Sequence, residues 1–116
     1  MNAPIVHVEF AGPDGELLEN FYRELFGWEI HRESPGGHVY GRFSPEPGTP
    51  LTGGVRHEPE GQAEIVVYVA VPDVSDRVDR ALVLGGGVRV PTRTYEGRTF
   101  AVIEDPAGNP VGLVQA

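Results

Sequence analysis

The chain repeats itself once, and that repeat constrains its fold more than any other feature. Shifted by 59 positions, His7-Val8-Glu9-Phe10-Ala11 falls on Val66-Val67-Tyr68-Val69-Ala70, and Pro13-Asp14 falls on Pro72-Asp73. Further on, a shift of 60 fits better: Leu18 meets Val78, Phe21 meets Ala81, Tyr22 meets Leu82, Gly27 meets Gly87 and Ile30 meets Val90. The same shift places Phe43 on Ile103 and Pro50 on Pro110. Few residues are identical, but the order of strand, helix and glycine stop is preserved. A single duplication of one supersecondary unit is expected, not a solenoid.

Each copy holds about 58 of the 116 residues, near the lower limit for an independent core. One domain of two modules is therefore expected, at about 1–58 and 63–116, joined through Glu58-Pro59-Glu60-Gly61-Gln62. The modules should bury their faces against each other or against a partner chain.

Within the first copy, Val6, Val8 and Phe10 alternate with His7, Glu9 and Ala11, the period of a strand. The apolar set should face a helix and the set of His7 the other side of the sheet. Asp14 is placed to cap the helix that follows. There Leu17, Leu18, Phe21, Tyr22 and Leu25 fall at helical spacing, Glu16 and Glu19 suit the positive end of the dipole, and Gly27 stops it. Trp28-Glu29-Ile30-His31 starts a second strand. His38 to Phe43 reads as a third, with His38, Tyr40 and Arg42 opposite Val39, Gly41 and Phe43. Leu51 to His57 reads as a short fourth. The second copy repeats the order: Ile65–Val71, a helix over Ser75–Leu84 with Val78, Ala81 and Leu82 on its apolar face, then Val88–Pro91, Arg98–Glu104 and Pro110–Val114. Asp105-Pro106-Ala107-Gly108 is a turn. The pattern is βαβββ twice, an α+β class with helices outside the sheet.

The formal net charge of −8 argues against nucleic acid and anionic membrane as partners. There is no cysteine, so thiol and disulfide chemistry are excluded. The N-terminus has no basic segment followed by a long apolar run, and no apolar run approaches the ~20 residues that span a bilayer. A cytoplasmic location is expected. Gly85-Gly86-Gly87 follows a helix, whereas a phosphate loop precedes one.

A doubled βαβββ unit resembles the vicinal oxygen chelate superfamily, which includes glyoxalase I, bleomycin-resistance proteins and extradiol dioxygenases. Two strings carry the resemblance further. NFYRELFGWE, residues 20–29, is similar to the family's first helix and its exit. EDPAGNPVGLVQ, residues 104–115, is similar to its final hairpin, usually DP-x-G-N-x-x-E-L. The resemblance implies that each module curls its sheet into a trough, that two troughs share a cleft, and that single chains of this length pair as homodimers. It also implies a metal held by four ligands, one from the first and one from the last strand of each module. Here those positions are His7, Thr52 or Gly53, Val66 and Gly112. Only His7 is an ordinary ligand, and a catalytic divalent ion needs about three. No metal and no other cofactor is expected.

Strand parity gives the cleft its lining. His7 and Glu9 come from the first strand, Tyr68 from its repeat, His38, Tyr40 and Arg42 from the third strand, and Arg98 and Phe100 from the third strand of the second copy. Gly112 and the Gly53-Gly54 pair should leave floor space where a ligand residue would project. Aromatic walls with a few polar groups suit a small, partly aromatic molecule, and Arg42 or Arg98 suits an anionic group. Two functions follow from the same residues. One is a metal-free binding protein, as bleomycin-resistance members are. The other is an enzyme of the same superfamily, a lyase, isomerase or dioxygenase, with His7 and Glu9 as an acid–base pair or as part of a non-standard metal site. Bland readings stand beside both: His7 and Glu9 as ordinary strand residues, the tyrosines as packing, Trp28 as helix-exit packing, His31 and His57 as surface groups.

Overall fold

The computed structural model describes residues 2–34 and 39–116. The chain divides into two compact units, His7–Ile65 and Val66–Ala116 with the residues before His7.

The first unit is built from β1 (Ile5–Gly12), α1 (Gly15–Phe26), β2 (His31–Glu33), β3 (Tyr40–Phe43) and β4 (Thr52–His57). Its strands lie in the order β2-β3-β4-β1. β1 and β4 are parallel, and the other pairs are antiparallel. The alternation in β1 works as the sequence implies. Phe10 joins Leu18, Tyr22 and Trp28 around a core of Ile30, Phe43 and Val55 under the helix. Asp14 caps α1 by accepting from the Leu17 amide at 3.0 Å, and Gly27 ends it with φ of 69°, a conformation that glycine adopts without strain.

Two local expectations change. Trp28 and Ile30 are not in a strand, and β2 begins at His31. The ladder with β3 starts at His31 opposite Arg42, while Trp28 stacks on Phe43 at 4.5 Å and Ile30 is buried, so this stretch packs into the core without pairing. The five apolar positions of α1 also divide into two groups. Leu18 and Tyr22 pack inward, while Leu17, Phe21 and Leu25 are each more than half exposed.

The second unit holds β5 (Glu64–Val71), α2 (Val74–Val83), β6 (Gly87–Tyr95), β7 (Arg98–Glu104) and β8 (Pro110–Gln115). Its order is β5-β8-β7-β6, again with one parallel pair, β5 with β8. Val71, Val74, Ala101 and Leu113 form its core, with Val69, Val78 and Ile103 against them. Asp73 caps α2 through the Asp76 amide at 3.1 Å. Leu82, expected on the apolar face, is exposed instead. β6 runs past Pro91 because it lies at the end of this order, where a missing amide is tolerated, and its register on β7 shifts on both sides of Val90. Asp105 closes the last turn by accepting from the amides of Ala107 and Asn109, both at 2.9 Å.

The fold is thus α+β, two βαβββ modules with mixed pairing, each helix packed on one face of its own strands. No helix among the described residues is long and apolar enough to cross a membrane.

Candidate functional site

The face of the first unit opposite α1 carries a continuous polar chain. The register of β1 on β4 sets His7 beside Thr52 and Glu9 beside Gly54, and that of β3 on β4 sets Tyr40 beside Arg56. His7 Nδ1 lies 2.6 Å from Thr52 Oγ1, and His7 Nε2 lies 2.8 Å from the Tyr40 hydroxyl. Tyr40 donates its only proton to Glu9 Oε2 at 2.7 Å. Its oxygen must then accept from His7 Nε2–H, and in the neutral ring Nδ1 accepts from Thr52. The other Glu9 oxygen accepts from Arg56 Nη1 at 2.6 Å.

Arg56 is the hub of the acidic end. It also donates to Glu64 Oε2 at 2.6 Å, and its Nε lies 3.1 Å from Glu58 Oε1, an ion pair without hydrogen-bond geometry. Burial works against the Arg56 charge, but the carboxylates of Glu9, Glu64 and Glu58 outweigh it and hold the guanidinium protonated. Glu9 is 5% exposed, and a buried carboxylate is stable only when paired in this way.

A second buried cluster lies on the helix side. Glu19, from the inward face of α1, is fully buried. It accepts from Arg32 and from His57 Nε2 at 2.8 Å. Burial raises its carboxyl pKa, but hydrogen bonds and charge from Arg32 and His57 together bring it below the ordinary value. Space for the cluster comes from two glycines: a methyl group at Gly15 would enter the His57 ring, and one at Gly41 would meet Glu19 and Ile30. Two expectations are corrected here. His57 is not a surface residue, and Glu19 acts as a buried ion-pair partner, not as a dipole charge.

Of the other expected site residues, Arg42 lies over the Tyr40 ring, 5.1 Å from its centroid, and pairs with Glu33 at 2.8 Å. His38 lies outside the described residues. In the second unit, Tyr68 pairs with Gly112, and Phe100 carries the guanidinium of Arg93 at 5.3 Å. Arg98 is exposed at the start of β7, opposite Tyr95. The expected floor space is filled. Tyr40 covers Gly54, Tyr68 covers Gly112, and Gly53 lies beneath Phe43 on the helix side.

Comparison with known proteins places this geometry. The profile of the glyoxalase-like domain family matches residues 7–114. The chain belongs to that family. Methylmalonyl-CoA epimerase from Mycobacterium tuberculosis is similar over 96% of this chain and 86% of its own, at 17% identity and a TM-score of 0.68. The Streptomyces coelicolor epimerase in complex with 2-nitronate-propionyl-CoA is 19% identical over 100% and 96% of the two chains, with a TM-score of 0.66. A hypothetical protein from Bacillus halodurans reaches a TM-score of 0.72 at 12% identity, over 100% and 96%. No curated protein matches. At these identities the solved structures speak for the fold alone.

The metal site implied by the superfamily resemblance does not fit the residues of this glyoxalase-like chain. In the first unit both His7 nitrogens are in hydrogen bonds and Thr52 holds one of them. In the second unit Val66 has no donor atom, and the Tyr68 ring occupies the space that a side chain at position 112 would need. Among the described residues no three His, Asp or Glu side chains converge on a metal-sized site.

Sequence reasoning missed Arg56 and Glu64 and saw Thr52 only as a vacant ligand position. Parity held the signal: once β4 is parallel to β1, Thr52, Gly54 and Arg56 must share the face of His7 and Glu9.

Proposed function

We propose that this glyoxalase-like protein binds a small, partly aromatic molecule without the metal of its superfamily. The main support is the use made of His7: both ring nitrogens serve Thr52 and Tyr40, 2.6 and 2.8 Å away, so the histidine orients a tyrosine wall. Tyr40 and the stacked Arg42 offer an aromatic and cationic surface, and Tyr68, Arg98 and Phe100 are the corresponding ligand groups proposed for the second unit. A solved epimerase of this fold is in complex with 2-nitronate-propionyl-CoA, which supports a small-molecule role. The test is a thermal-shift screen of aromatic small molecules, followed by titration of hits against Tyr40→Ala. Hits whose affinity is unchanged both by Tyr40→Ala and by Arg42→Ala would remove the reading.

One observation favours a second reading, a metal-free proton-transfer enzyme with His7 and Glu9 as the acid–base pair. Thr52, His7, Tyr40 and Glu9 form an unbroken hydrogen-bonded path of 2.6, 2.8 and 2.7 Å. Turnover of a hit, abolished by His7→Ala but with binding retained, would select this reading.

A single domain, a homodimer and a cytoplasmic setting complete the proposal. The exposed stripe of Leu17, Phe21 and Leu25 supports pairing of copies, since such surface is usually covered. A sedimentation mass of 12.5 kDa at micromolar concentration would contradict it. The net charge of −8 supports the absence of nucleic-acid and anionic-membrane partners.

A further inference from the structure

Within the first unit, the exit of α1, the start of β2, the end of β3 and the start of β4 line an open groove of about 810 Å³. That is the size of a small-ligand site. One end is aromatic, with Phe26, Trp28 and Phe43. The other is polar, with His31, Arg42 and Thr52. Thr52 is the same residue that holds His7 Nδ1, so the groove meets the polar chain of the open face at one shared side chain.

We infer that this groove takes an aryl monocarboxylate, its ring against Trp28 and its carboxylate on Arg42 and His31. The inference rests on the reading of the first unit as a small-molecule binder and names the ligand class. Trp28 has Phe43 stacked on it nearly parallel, at 4.5 Å and 20°, which fixes the indole plane before a ligand arrives. Such preorganisation lowers the cost of binding. His31 and Arg42 are direct cross-strand partners, so their side chains stand together on one face. Glu33 pairs with Arg42 at 2.8 Å, but both side chains are nearly half exposed, at 48% and 44%. An ion pair in that setting contributes little. Glu33 meets Arg42 through a single contact, Nε to Oε2, so a ligand carboxylate can replace it and engage the guanidinium fork on two nitrogens. Glu29 also borders the groove. Among the described residues Arg42 is the one formal positive charge here, against Glu29 and Glu33, which favours a monoanion over a phosphate.

Trp28 is the only tryptophan in the chain, so its fluorescence reads the groove directly. The probes are 4-nitrobenzoate and its neutral counterpart 4-nitrobenzyl alcohol, with free tryptophan titrated in parallel to correct for absorption. Saturable quenching by the acid is expected, with the alcohol about tenfold weaker, as loss of a charge-assisted hydrogen bond implies. Arg42→Gln should erase the difference between the two probes. Glu33→Gln should tighten the acid alone, an effect that a merely structural Arg42 would not produce. Equal affinity for acid and alcohol, or an acid affinity indifferent to both variants, overturns the inference. Small molecules that shift the melting temperature without quenching Trp28 overturn it while leaving the proposed function standing. No shift and no quenching by any aromatic probe removes both.

Discussion

The Tyr40 hydroxyl donates to Glu9 at 2.7 Å while its ring lies over Gly54, so one side chain both satisfies a buried carboxylate and closes the sheet surface. Its position depends on glycine at 54, because any larger residue there would displace the phenol. The same oxygen is 2.8 Å from His7 Nε2, which ties β3 to β1 across the intervening β4.

Tyr40→Phe separates these roles. The ring stays, but Glu9 Oε2 and His7 Nε2–H each lose a partner. A buried polar group left unsatisfied costs about 1–3 kcal/mol. Urea unfolding should show a lower midpoint with an unchanged slope, the mark of altered stability without altered compactness. A midpoint within error of wild type would show that water replaces the phenol at no cost.

Arg56 should be the most damaging single position on this face. It neutralises Glu9 and Glu64 at 2.6 Å each, and Glu9 is almost wholly buried. Arg56→Met strands that carboxylate, and breaking a buried pair costs about 3–5 kcal/mol. Adding Glu9→Gln to Arg56→Met should recover part of the loss. The double variant should therefore be more stable than the sum of the two single effects, by about 1 kcal/mol or more. Additive losses in denaturant unfolding would show that the two residues are not coupled.

The contrast between Tyr40 and Arg56 shows what was legible in the sequence. Alternation places His7 and Glu9, and likewise Tyr40 and Arg42, on the non-helix face of their own strand, and the strands obey it. Alternation within a strand needs no knowledge of its neighbours. Arg56 needed the register of β4 on β1, a long-range property that no local pattern encodes. Glu19 was harder still. It lies between Leu18 and Tyr22, and helical spacing alone does not say whether a carboxylate there is buried. Its signal was distributed over Gly15 and Gly41, the two small residues that leave room for it and for His57. The second strand is present but begins at His31, three residues later than the alternation from Trp28 implies, because a strand boundary depends on where a pairing partner is available.

Acid stability should report Glu19. Its folded pKa is lowered from the ordinary 4.5, so the folded state favours the charged form. The associated stability is fully present above the unfolded value and is lost as pH falls through the lower folded value. Wild type should therefore weaken as pH drops below about 4.5. Glu19→Gln should be less stable at pH 7 by about 1.5–3 kcal/mol, the range for a hydrogen bond to a charged group. The gap between the two proteins should narrow toward pH 3. Parallel stability curves from pH 7 to pH 3 would assign the acid dependence to other carboxylates.

Metal response follows from the covered glycine at 112. A ligand that binds only the folded state stabilises it by RT ln(1 + [L]/Kd), about 4 kcal/mol at a thousandfold excess over Kd. Nickel, zinc or manganese at millimolar concentration should leave the melting temperature of wild type unchanged, and chelator treatment should leave it unchanged as well. Gly112→Glu places a carboxylate at the position where the superfamily's hairpin motif carries one, but its side chain must displace the Tyr68 ring. Overpacking of this kind costs about 1–3 kcal/mol, so the variant should melt lower than wild type. It should gain no metal response, because Val66 supplies no donor and His7 is held by Thr52 and Tyr40. A metal-dependent rise in the wild-type melting temperature that disappears in His7→Ala would show a site that these side chains do not account for.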